Sequence, residues 1–468
     1  MRTLFLLCFF FGLNSIALEN KPNIVFILAD DMNRDSWGVY GNKDCKTPNI
    51  DRIGAEGLVF ENLYASVAMC APFRQELYSG RSPWRTGTLA NHSKSTPDTK
   101  SLPHYLKPLG YRIALIGKSH VGPNEAYPFE YVKGISKSKD GNDHLVAESA
   151  KFINSSLEQN KPFCLFIASD DSHAPFTTGD RSVYSAEKLT VPPYWIDTPE
   201  MREAMVQYYA EVRNYDALVG RIETTLKDKG LWGNTIFMVC SEQGSQFPFS
   251  KWTCYDTGLH SGMVAHWPGS KSGQISQLLS LADIAPTLAE AASYKAKEKD
   301  FDGKSFLAAV EGSKKEVRSH VFGAFTNCNI IDNRDRIFPI RVIRNKDYSL
   351  IYNPNHTEIT SNTTLTASLD PSLNKKSKSI DIASSWVALS KKDSQYQARV
   401  KQLNHRDHYE FYNRKKDPHE LKNQINNPEY QSIISDMQKA LKDQLKTLSD
   451  SDPIATEHSL VKTKKKKK

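Results

Sequence analysis

Asn23-Ile24-Val25-Phe26-Ile27-Leu28-Ala29-Asp30-Asp31 is the stretch that decides the architecture. An apolar run with no polar alternation suits a strand covered on both faces, as in parallel sheets. It ends in two adjacent carboxylates, which repel each other unless a cation lies between them. In open α/β sheets the ligand crevice lies beyond the carboxyl ends of the strands. Asp30 and Asp31 are therefore candidate metal ligands, against the plainer alternative of a turn with a helix cap. Hard oxygen donors favour calcium or magnesium over zinc.

The pattern repeats along the chain. Residues 110–117 form a second apolar run, ending in Lys118-Ser119-His120. Residues 162–168 form a third, ending in Ser169-Asp170-Asp171-Ser172-His173, and residues 234–240 a fourth, followed by Ser241-Glu242-Gln243 and then Lys251. Helical patterns separate them, starting at Thr47-Pro48 and covering about 102–107, 144–157 and 199–229. An apolar piece at 262–267 and a helix over 275–292 complete the large unit. This alternation implies an α/β fold, a mostly parallel sheet sandwiched by helices. One sheet edge then gathers Asp30, Asp31, Lys118, His120, His173, Glu242, Gln243 and Lys251.

From about Phe301 the pattern changes. Residues 339–344 and 347–352 read as a hairpin turning at Asn345-Lys346, residues 357–379 as a long polar loop, and residues 429–448 as a closing amphipathic helix. A smaller C-terminal α+β domain follows from this. The expected division is a signal peptide at 1–17, a catalytic domain at 18–300, the smaller domain at 301–455 and a basic tail at 456–468.

The sheet edge is expected to surround Met69-Cys70-Ala71-Pro72-Phe73-Arg74. Ala71-Pro72 suits a first helical turn, where the missing proline N–H is no loss, and the helix should run from Phe73 to Ser79 and stop at Gly80. Arg74 lies four residues beyond Cys70, on the same helix face. A helix N-terminus with a guanidinium beside it favours an oxyanion.

Composition narrows the classes. The net charge is +8, but Lys462 and Lys464 to Lys468 carry six of those charges, leaving +2 for the rest. That location argues against nucleic-acid binding and for a solvated tail. Arg2, an apolar run from Leu4 to Leu13 and Ser15-Ile16-Ala17 form a cleavable signal peptide, and no later run is long enough for a membrane span. The expected location is outside the cytoplasm: secreted or periplasmic, or lysosomal in an animal. Of seven cysteines, Cys8 leaves with the signal peptide, and Cys164 and Cys240 sit inside apolar runs as buried thiols.

Taken together, Asp30-Asp31, Cys70-Ala71-Pro72-Phe73-Arg74, Gly117-Lys118-Ser119-His120, Ser172-His173 and Lys251 resemble the type I sulfatases of the alkaline phosphatase superfamily. Within them the chain is most similar to the N-sulfoglucosamine sulfohydrolases, or sulfamidases. That similarity is carried by Lys118-Ser119-His120-Val121-Gly122-Pro123, by Tyr127-Pro128-Phe129 and Val321-Phe322-Gly323, and by Tyr412 to Glu420. The resemblance implies that a formylglycine-generating enzyme converts Cys70 to formylglycine, whose hydrate attacks sulfur. It implies that Asp30, Asp31, Glu242 and Gln243, with residue 70, hold Ca2+. Arg74 would stabilise the aldehyde hydrate, and Lys118 and Lys251 would neutralise sulfate oxygens. His120 would be the base that collapses the sulfated hemiacetal, and His173 would protonate the leaving group. The implied substrate is a sulfated glycan, with N-sulfoglucosamine as the first choice.

Three other readings compete. One is an O-sulfatase on another polysaccharide. A second is an inactive glycan-binding relative, motivated by Glu242-Gln243 standing where the family usually carries Asp followed by Asn or His. A third is a phosphatase of the same superfamily, which the Cys-x-Pro-x-Arg context disfavours.

Overall fold

The computed structural model describes residues 21–133, 141–331, 334–360 and 381–450, with the side chains of 141 and 327–336 excepted. The signal segment, nearly all of the 357–379 loop and the basic tail lie outside the described residues. Among the described residues no helix is long and apolar enough to cross a membrane.

Eight strands form the main sheet: β1 (Asn23–Leu28), β2 (Leu58–Tyr64), β3 (Arg112–Gly117), β4 (Glu130–Lys133), β5 (Phe163–Ala168), β6 (Thr235–Cys240), β7 (His260–His266) and β8 (Gly273–Ser280). Their order is β4-β3-β5-β1-β6-β7-β2-β8. Only β7 runs antiparallel to its neighbours, so the sheet is mostly parallel, as the apolar runs implied. β1 sits between β5 and β6 with all six residues buried. Its alternation sends Val25 and Ile27 to one core and Ile24, Phe26 and Leu28 to the other. The first core lies under the Pro48–Glu56, Gly141–Glu158 and Pro199–Asp228 helices; the second lies under Cys70–Ser79, Leu102–Leu106 and Ile284–Ala291.

One expectation is corrected. Residues 275–292 are not a single helix: β8 occupies 273–280, a 3-10 turn covers Leu281–Asp283, and the helix begins at Ile284. β8 is an edge strand whose exposed Gln274 and Ser276 side matches half-burial, and Ser280 with Asp283 forms a capping box where the chain turns to helix. An apolar segment holding both a strand and a helix cannot be divided by periodicity alone.

A second sheet, ordered β12-β11-β10-β9, is antiparallel: β9 (Val321–Ile331), β10 (Arg334–Arg344), β11 (Tyr348–Tyr352) and β12 (Tyr409–Asn413). The Gln431–Thr447 helix covers one face through Ile434, Met437, Leu441 and Leu445, against Ile343, Leu350 and Phe411. The other face joins the main core, and Ala324 N–H donates to the Ser66 carbonyl at 2.7 Å, four residues before Cys70.

Gly117 closes β3 at φ 92°, and a Cβ there would fall on the Ala168 carbonyl oxygen of the neighbouring strand. This bend delivers Lys118 to the sheet edge. Gly117→Ala is expected to destabilise the fold by about 2–4 kcal/mol, through a disfavoured φ and displacement of β5 backbone. Denaturant melts against the parent measure it.

Candidate active site

The site is built where β1, β3, β5 and β6 end. Beyond β1 the backbone stays knitted to its neighbours: Ala29 N–H donates to Cys240, Asp30 N–H to Asp171 and Ser172 N–H to Asp30, at 2.7–3.0 Å. Asp31 then turns into the left-handed region at φ 54°. Both carboxylates are fully buried.

The Cys70–Ser79 helix points its first residue at this edge and ends at Gly80, whose φ of 65° makes the left-handed C-cap. It starts three residues earlier than expected, so Cys70 itself occupies the first helical position. Its Sγ lies 3.2 Å from Asp30 Oδ1, 3.4 Å from Asp31 Oδ1 and 3.2 Å from Lys251 Nζ. Gln243 Nε2 is 3.5 Å from the sulfur and 2.5 Å from Asp31 Oδ1. One turn on, Arg74 is fully buried and pairs with Glu242 Oε1 at 2.7 Å, with Asp30 3.7 Å away. Its Nη1 donates to the Lys118 carbonyl at 2.9 Å and its Nη2 to that of Ala29 at 3.3 Å.

Lys118 pairs with Asp30, and Lys251 with Asp31 Oδ2 at 2.7 Å. His173 Nε2 lies 3.4 Å from Asp31 Oδ2 and 3.4 Å from the Gln246 amide. Its Nδ1 is 2.6 Å from the Ala174 carbonyl, which can only accept, so Nδ1 carries the proton. Every residue singled out from the sequence therefore meets at one sheet edge, with one difference in contact. His120 bonds none of the others; its Nε2 lies 2.8 Å from Nδ1 of His92.

Charge balance governs the chemistry. Burial opposes ionisation of Asp30, yet Lys118, His173 and Arg74 hold it well below the ordinary carboxylate range. Burial, with Asp30 adjacent, pushes Glu242 up to about 8 against the pull of Arg74. Burial works against both lysine ammonium groups, but Asp30 at Lys118 and Asp31 at Lys251 hold them above the usual lysine range. For Cys70, burial and then Asp30, Asp31 and Glu242 all push the thiol up, so it is a poor thiolate nucleophile as it stands. Burial, Lys118 and Arg74 depress His120 to about 3, and burial also lowers His173.

The donor set fits a hard divalent cation. Oxygens of Asp30, Asp31 and Glu242 and the sulfur of Cys70 lie within 4.8 Å of one another, all buried. Gln243 Oε1 is also buried and has no hydrogen-bond partner among the described residues, an acceptor left over at the same place. Three carboxylates face three permanent cations here, so a divalent ion would add net positive charge suited to an anionic ester.

The residues that sequence reasoning passed over are His92, Gln246 and Gln75. His92 lies in the 91–100 loop, and nothing in local spacing ties it to His120. Gln246 follows the fourth strand closely enough to have been considered with Gln243.

A mostly parallel sheet with this cysteine, carboxylate and cation edge defines a hydrolase of the alkaline phosphatase superfamily. The sulfatase family model matches residues 22–294, and the chain belongs to that family, which makes it a sulfuric ester hydrolase. It is 31% identical to an ulvan-active sulfatase of Formosa agariphila, over 95% of this chain and 84% of that one. It is 25% identical to human N-sulphoglucosamine sulphohydrolase, over 90% and 89% of the two chains. A structure solved with its substrate D-glucosamine-2-N,6-O-disulfate superposes with a TM-score of 0.67 at 19% identity, covering 92% of this chain and 99% of that one.

Arg74→Met should cost about 3–5 kcal/mol, because Glu242 and Asp30 lose a buried counter-charge. Adding Glu242→Gln should recover a substantial part of that loss. A double-mutant cycle in denaturant measures both.

Proposed function

We propose that the protein is a secreted, calcium-dependent sulfatase that uses formylglycine at position 70 to release sulfate from a sulfated glycan, with N-sulfoglucosamine as substrate. The observation that carries this reading is the state of Cys70. The side chain sits among the converging charged groups, yet burial, with three carboxylates beside it, suppresses its thiolate. Such a cysteine serves poorly as a nucleophile and well as the precursor of one. Similarity to human N-sulphoglucosamine sulphohydrolase across nearly the whole chain supports the substrate.

When present, the formylglycine hydrate would supply the attacking hydroxyl and calcium, held by Asp30, Asp31, Glu242 and Gln243, would supply charge for the sulfate oxygens. The remaining work belongs to the chain's own side chains. Lys118 and Lys251 hold the sulfate oxygens and stabilise charge as the sulfur centre is attacked. Arg74 fixes Glu242, Asp30 and the backbone behind residue 70. His173, its Nδ1–H held by the Ala174 carbonyl, takes a second proton on Nε2 beside Asp31 and gives it to the departing amine or hydroxyl, and His120 takes the hydroxyl proton whose loss regenerates the aldehyde as sulfate leaves. The ulvan-active relative supports the second reading, an O-sulfatase on another polysaccharide.

Protein matured with a formylglycine-generating enzyme should show the aldehyde at residue 70 by mass spectrometry and release sulfate from N-sulfated glucosamine with a new free amine. Release from O-sulfated glycans alone would select the second reading. Cys70→Ala should abolish turnover while keeping the melting transition; undiminished turnover would sink the mechanism. Calcium at 100 times its Kd should stabilise the metal-stripped enzyme by about 2.7 kcal/mol. Asp31→Asn should lose most of that gain.

A further inference from the structure

We propose that His92 is the positioning residue for His120, accepting a hydrogen bond from its Nε2 so that Nδ1 keeps the lone pair that takes the proton. The inference rests on the reading of His120 as the base.

Four observations support it. The rings meet through His92 Nδ1 and His120 Nε2 at 2.8 Å, with centroids 4.8 Å apart and planes inclined at 43°. His120 Nδ1 is buried and has no hydrogen-bond partner among the described residues. The single N–H shared between the two rings leaves His120 two options. If Nε2 were the acceptor, the proton would sit on Nδ1 as a buried, unsatisfied donor, costing about 1–3 kcal/mol. With Nε2 as donor, Nδ1 is a bare acceptor, the state a general base requires.

Third, both residues sit at positive φ, 59° for His92 and 51° for His120, conformations that persist only when the surroundings fix them. Fourth, the surroundings that do so belong to the catalytic helix. Gln75, fully buried one residue after Arg74, donates from Nε2 to the Ser93 carbonyl at 3.0 Å and accepts at Oε1 from Ser95 N–H at 2.9 Å. Ser95 N–H also reaches the Gly122 carbonyl at 2.9 Å, two residues beyond His120. Gln75 thus ties the loop carrying His92 to the helix carrying residue 70, and Ser95 ties the same loop to the segment carrying His120.

The groups facing His120 are Lys118, Arg74 and His92, which disfavour its protonation, and Asp30, which favours it. An imidazole acceptor at His92 orients the ring without adding a negative charge. That division of labour follows the logic of an orienting third residue behind a catalytic histidine.

The test compares His92→Phe, which keeps a ring but removes the acceptor, with His92→Asp, which keeps an acceptor and adds a negative charge. His92→Phe should lower kcat roughly 10- to 100-fold with KM changed less than about twofold. His92→Asp should recover most of kcat at high pH. It should also move the acid limb of the kcat profile upward by about one pH unit, since a carboxylate favours protonated His120. A kcat within twofold of the parent in His92→Phe overturns the proposal. So does a rise in KM alone, which would make His92 a substrate contact, or equal loss in both variants with no shift of the acid limb. His120→Ala, run alongside, tests the underlying reading: if it turns over normally, the assignment of the base fails whatever His92 does.

Discussion

Everything at the sheet edge depends on compensating buried carboxylates. Asp30, Asp31 and Glu242 are withdrawn from water completely, and an isolated buried carboxylate costs several kcal/mol. Arg74 meets that demand at Glu242, because a planar guanidinium can pair with the carboxylate and hydrogen-bond two backbone carbonyls at once. Those carbonyls belong to Ala29 and Lys118, beyond β1 and β3. The arginine therefore fixes the spacing of two strand ends as well as their charge. A lysine, with a single ammonium point, could not replace it.

The departure at Glu242-Gln243 has a physical resolution in this arrangement. Each side chain is one methylene longer than the Asp and Asn or His usual in the family, yet the extra length is absorbed. Glu242 reaches Arg74 at 2.7 Å and also accepts the Asp31 N–H at 3.3 Å. Gln243 turns its amide nitrogen to Asp31 Oδ1, leaving Oε1 without a partner among the described residues. A cation held between them would favour the opposite orientation, since an amide presents oxygen to positive charge. The longer arms thus leave the oxygen donors convergent, which weakens the reading of an inactive binder.

Much of this was legible in the sequence, for a reason that particular residues make clear. Buried parallel strands announce themselves as unbroken apolar runs, and their functional residues follow at once: Asp30 after Leu28, Lys118 after Gly117, Glu242 after Cys240. The reading failed where one apolar segment held two structures, at β8 and the helix from Ile284, because periodicity alone cannot divide such a segment. It was silent on contacts between loops. His92 meets His120 directly across 28 residues of chain while Gln75 holds the loop that carries His92, and no spacing rule connects a glutamine on one helix with a histidine in the next loop.

The smaller sheet was legible as a hairpin and a closing helix, but its role was not. Arg344 on β10 pairs with Glu420 at 2.5 Å, and Arg414 with Asp256 at 3.0 Å; Asp256 also holds His260 at the start of β7. Asp256 lies five residues past Lys251, in a segment whose Phe249 and Trp252 both adopt positive φ. Trp252 N–H in turn donates to the Ala68 carbonyl, two residues before Cys70. The second domain thereby braces the loop that delivers Lys251. Short hydrogen-bonded chains of this kind explain how a flexible lysine is kept against Asp31: its backbone is held through Lys251 N–H on the Ser245 carbonyl, and the ammonium answers the charge in front of it.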